Sequence, residues 1–151
     1  MSVCTFIASD HPLPEAAPSQ DYPLEINIDT GILYDGGADD NFFLYGFDRV
    51  QDYTSMAYGV RLEWNYTRGR AERILNYLRE ALRYSPSVEF WHAWLLDDYE
   101  WEDRPVIHNY TVSIRKLTPE HIREMDEMQV WNTPDRRNPE RPSFYRWKIT
   151  R

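Results

Sequence analysis

Between residues 58 and 84 the apolar residues change period, and no other stretch constrains the fold as much. Tyr58, Val60, Leu62 and Trp64 alternate with Gly59, Arg61, Glu63 and Asn65, as a strand with one buried face requires. Directly afterwards Ala71, Ile74, Leu75, Leu78 and Leu82 follow the i, i+3, i+4, i+7 spacing of a single apolar stripe, which predicts a helix from Thr67 to about Tyr84. Ser85-Pro86-Ser87 stops it. A half-buried strand followed by an amphipathic helix must bury both against one layer, so a sheet with helices packed on it is expected.

The remaining sequence supplies more of the same. Residues 88–96 are apolar enough for a strand buried on most of both faces, and Val106, His108, Tyr110, Val112 and Ile114 alternate along another. Thr118-Pro119-Glu120 predicts a helix start, with a capping hydroxyl, proline in the first turn and an early acid. Residues 143–150 read as a last strand. In order, 58–150 is strand, helix, strand, strand, helix, strand: a ferredoxin-like βαββαβ unit, with two helices on one face of an antiparallel sheet.

Residues 1–57 read as an acidic, β-rich extension. It holds a strand at 3–8, a loop punctuated by Pro12, Pro14, Pro18 and Pro23, a hairpin turning at Asp29-Thr30-Gly31, and a strand at 42–45. The 151 residues are therefore expected to form one α+β domain, 1–151.

Charge is unevenly distributed. Residues 1–60 carry ten carboxylates and one base, Arg49, while 61–151 are close to balanced, within a net charge of −8. Such a balance argues against nucleic acid as a partner, because phosphate recognition relies on clustered Lys and Arg. No run approaches the roughly 20 apolar residues of a membrane span, so no membrane association is expected. The single cysteine, Cys4, permits no internal disulfide and points to a cytoplasmic location. The glycine-rich phosphate loops, the H-E-x-x-H metal motif and the G-x-S-x-G elbow are all missing, so no cofactor is expected.

Three groups of residues could carry function. The turn-rich loop Asp35-Gly36-Gly37-Ala38-Asp39-Asp40-Asn41 offers carboxylates but does not match the calcium-loop template, which leaves a glycine turn with Asp35, Asp39 and Asp40. The second acidic run, 97–103, interleaves Asp97, Asp98 and Glu100 with Tyr99 and Trp101, and acids around aromatics suit contact with a basic partner. Finally, a hairpin folded about Glu100 would set His92 opposite His108, where two imidazoles could share a metal with a third ligand. A slip of one residue would send the two rings to opposite faces.

Cys4-Thr5-Phe6-Ile7-Ala8-Ser9-Asp10-His11-Pro12-Leu13-Pro14, Tyr34 to Asn41, and Trp131-Asn132-Thr133-Pro134-Asp135 resemble an uncharacterised family of short bacterial proteins with no assigned activity. The resemblance implies a bacterial, cytoplasmic origin and transfers no site. The expected function is a small non-catalytic module whose acidic, aromatic-rimmed loops contact a basic protein partner. The alternative is an enzyme or a ligand- or metal-binding protein with a pocket on the sheet face around His92 and His108. A homodimer is a third expectation, since helices on one face of a sheet leave the other to be covered.

Overall fold

The computed structural model describes residues 3–95, 105–130 and 143–151. Among these described residues eight strands and two α-helices follow in the order β1 (Val3–Ser9), β2 (Glu25–Ile26), β3 (Leu33–Tyr34), β4 (Phe42–Gly46), β5 (Tyr58–Trp64), α1 (Arg68–Ala81), β6 (Ser87–Trp94), β7 (Val106–Ser113), α2 (Pro119–Asp126) and β8 (Ser143–Thr150). The mixed α+β class expected from the sequence is present.

The ferredoxin-like arrangement is not. Six strands form one sheet in the order β4-β5-β1-β6-β8-β7, and β2-β3 forms a separate pair. Every neighbour in the large sheet is antiparallel except β7 and β8, which are parallel. Two insertions undo the expected unit. β1 enters between β5 and β6, and β8 enters between β6 and β7, so β6 and β7 never form a hairpin. The cause for β1 lies in its composition. Cys4, Phe6 and Ala8 fill one face while Ile7 fills the other, all at most 3% exposed, and only a central strand buries both faces. Far from being part of an extension, β1 is the middle of the sheet.

Alternation then sorts the core into two layers. On one face Ile7, Val60, Leu62, Val88, Phe90 and Ile149 pack against Ile74, Leu75 and Leu78 of α1 and Ile122 and Met125 of α2. Both helices begin as the sequence predicts: Thr67 Oγ1 accepts from Arg70 N–H, and Thr118 forms a reciprocal capping box with His121. On the opposite face Phe6, Trp91 and Phe144 are covered by Phe47, Val50 and Met56. The Phe6 ring lies 4.7 Å from Phe47 and 5.6 Å from Trp91. The segment between β4 and β5 therefore supplies the cover that the homodimer expectation assigned to a second copy.

Candidate functional site

The acidic loop at 35–41 proves to be an anchor. Asp35 takes two hydrogen bonds from Arg70, Nη1 to Oδ2 at 2.9 Å and Nη2 to Oδ1 at 3.0 Å. The same guanidinium donates to the carbonyls of Ala38 and Asn65, so a wholly buried arginine is matched from all sides. Arg70 holds the Asp35 carboxyl below the usual carboxylate range, helped by the Gly37 N–H. Gly36 and Gly37 have φ of 84° and 70°, the left-handed backbone that lets the loop curl back on Asp35. Asp40 accepts from Tyr22 Oη at 2.5 Å and from Ser19 N–H at 2.9 Å, which lowers its pKa. Asp39 lies against Gly69 in the first turn of α1, where helix polarity favours an anion.

What this anchor holds out is an apolar arm. Residues 24–34 form the small hairpin β2-β3, closed by Asn27 N–H to Ile32 O (2.9 Å) and Gly31 N–H to Asn27 O (2.7 Å). Leu24, Ile26, Ile28, Ile32, Leu33 and Tyr34 are between 58% and 94% exposed. Isolated large apolar residues at a surface are ordinary, but a contiguous group on one projecting element marks a contact surface. An unsupported two-stranded hairpin is marginal in water, so this arm gains from being covered. Glu25 and Asp29 stand exposed among the apolar residues.

The two histidines are placed differently from the sequence expectation. His92 and His108 do share a face, but both pair with Tyr145 of β8, which stands between them. Two strand spacings, about 10 Å, separate the backbones. His108 Nε2 is 2.9 Å from Ser143 Oγ and its ring stacks on Tyr145 at 5.0 Å. His92 Nδ1 is 2.8 Å from Thr5 Oγ1, which donates to Asp126 Oδ1 at 2.7 Å. The expected placement of the two rings directly opposite each other is thereby corrected: one ring is held by a serine, the other by a threonine.

The Thr5, His92 and Asp126 trio is internally consistent as structure. One hydroxyl proton serves two neighbours, so while Thr5 donates to Asp126 its oxygen can only accept from His92 Nδ1, and a protonated Asp126 allows both bonds to reverse. Burial lowers the His92 pKa against the pull of Asp126 and of the Met128 backbone, and burial raises that of Asp126. The Trp64 indole N–H is directed at the same carboxyl, in a geometry too poor for a full hydrogen bond. With the hydroxyl engaged on both sides and buried, it is no free nucleophile. Cys4 is likewise quiet, its thiol pushed up to about 11 by burial.

A groove of about 400 Å³ opens beside this region, between α2 and the β7 edge. Tyr110 and Trp147 form its floor, stacked at 5.5 Å, with Met125, Met128, His121 and Glu124 along the helix wall. Of the expected contact residues, Asp97, Asp98, Tyr99, Glu100 and Trp101 lie outside the described residues. Among the described residues no group of three or more His, Cys, Asp or Glu side chains is placed to hold a metal ion. No described helix is long and apolar enough to cross a membrane.

Sequence reasoning singled out neither the arm nor the groove as a site. The signal for the arm was present: the five aliphatic residues Leu24, Ile26, Ile28, Ile32 and Leu33 fall in one short hairpin between a proline-rich and a glycine-rich loop, and a two-stranded ribbon has no second layer to bury them. Comparison with protein-family models, with curated proteins and with solved structures returned no match.

Proposed function

We propose that this protein is a non-catalytic cytoplasmic interaction module, and that the arm at 24–34 is the element that docks on a basic protein partner. The observation that carries the reading is the run of six large apolar side chains exposed together on one anchored hairpin. Apolar residues supply the desolvated centre of an interface, while Glu25, Asp29 and the surrounding acidic section select a partner of opposite charge. In this reading Asp35, Asp39 and Asp40 serve recognition indirectly, by fixing the arm to α1 and to the loop at Ser19–Tyr22.

The test is capture from the native cell lysate at low and high salt, using the natural chain and the triple variant Ile26→Ser/Ile28→Ser/Ile32→Ser. One stoichiometric basic partner that leaves as salt rises, and that the variant does not capture, is the expected result. All three side chains are exposed, so the variant should melt within about 0.5 kcal/mol of the natural chain. Bait recovered alone at both salts, or a partner held equally by the variant, overturns the proposal.

A further inference from the structure

We infer that the β7 edge and the groove beside it form a second recognition surface, which takes an extended basic peptide as an added strand. The two edges of the sheet are treated differently. On β4 the edge is closed by a bridge to the proline-rich loop, Ala16 and Leu44 exchanging hydrogen bonds of 3.1 and 2.9 Å. On β7 the outer side has no strand partner among the described residues. Edge strands are ordinarily protected by a charge, a proline or a bulge. The sequence from Val106 to Ser113 carries no charged residue and no proline, and its register with β8 runs unbroken over eight pairs. Its outward N–H and C=O groups are a ready template for strand addition.

The groove decides what such a strand should carry. A strand added outside β7 lies about 4.8 Å from it, so a side chain on the helix side enters over Tyr110, facing α2. There it meets the rings of Tyr110 and Trp147 and the side chains of Met125 and Met128. His121 Nδ1 accepts from Thr118 N–H at 3.1 Å, and among the described residues Glu124 is the only carboxylate lining the groove. Aromatic faces beside one carboxylate favour an arginine or lysine at the anchor position. This surface is independent of the arm, whose anchoring loop leads into β4 at the other edge of the sheet.

The test uses the full chain and a synthetic eight-residue peptide of alternating threonine and valine with one central arginine, set against its glutamate counterpart. The arginine peptide should shift the backbone NMR signals of β7 and of Glu124, and protect β7 amides from exchange. It should also bind at least about tenfold more tightly than the glutamate peptide, and Glu124→Lys, an exposed change, should reverse that preference. The arm variant should bind the arginine peptide as the natural chain does, which separates this inference from the docking role of the arm. Equal binding of the two peptides, unprotected β7 amides, or shifts confined to the arm would overturn it.

Discussion

Arg70 reaches out of the first turns of α1 to grip Asp35 with two parallel hydrogen bonds, although the two residues stand 35 positions apart. The arginine is wholly buried and the aspartate is only partly so. Removing the aspartate strands a guanidinium in the core, a far larger penalty than the pair's own net worth. Asp35→Ala should therefore lower unfolding stability by about 3 kcal/mol in a denaturant titration. Because the Asp35 pKa is lowered, its contribution is present above the ordinary value of 3.8 and is lost as pH falls through the folded value. Asp35→Asn should flatten that part of the acid limb.

The Thr5, His92 and Asp126 cluster predicts two pH dependences of opposite sign. Asp126 has a raised pKa, so its contribution is present below 3.8 and is lost as pH rises through the folded value. Asp126→Asn keeps an oxygen for Thr5 and removes the charge. Its stability relative to the natural chain should rise with pH from 3.8 upward and then level off. His92 has a lowered pKa, so its contribution is present above 6.5 and is lost as pH falls through the folded value. His92→Gln should remove that loss. Denaturant midpoints across pH 4–8 check both signs; parallel curves for all three proteins would contradict the cluster as described.

Gly59 offers a packing test on the opposite face. A Cβ there would stand 2.8 Å from Val50 Cγ2, inside van der Waals contact with a buried side chain. Gly59→Ala should cost about 1–3 kcal/mol, from overpacking rather than from backbone strain. Combining it with Val50→Ala should cost about 1 kcal/mol less than the two changes summed, since the second vacates the space the first needs. Thermal melts of the four proteins in this cycle provide the measurement.

These residues also show how far the sequence could be read. The elements were legible because period is a local property: the alternation of 58–64, the stripe from Ala71 to Leu82 and the cap at Thr118 all reappear where the spacing puts them. Neighbour relations are not local. Sequential strands usually pair, which is why β6 and β7 invited a hairpin, but β8 takes the place between them. The register reasoning still put His92 and His108 on one face, and missed Tyr145 between them because nothing near either histidine encodes a strand whose Tyr145 lies 37 positions beyond His108 and 53 beyond His92. The carboxylates of the 35–41 loop looked available because their partners, Arg70, Tyr22 and Ser19, are remote in sequence. The apolar arm was legible as a hairpin but not as an exposed one, because its residues alternate like a half-buried strand and nothing local tells that no layer lies beside them.

The central position of β1 has a consequence for biosynthesis. Its two neighbours, β5 and β6, begin 55 and 84 positions after Val3, so the first strand leaves the ribosome long before anything can pair with it. At about 5–20 residues per second, roughly 4–17 s pass before β6 is available. During that interval Cys4, Phe6, Ile7 and Ala8, which end among the most secluded side chains in the molecule, are open to any passing chain. Nascent-chain handling, and not only the finished sheet, must accommodate a central strand that is made well before either of its partners.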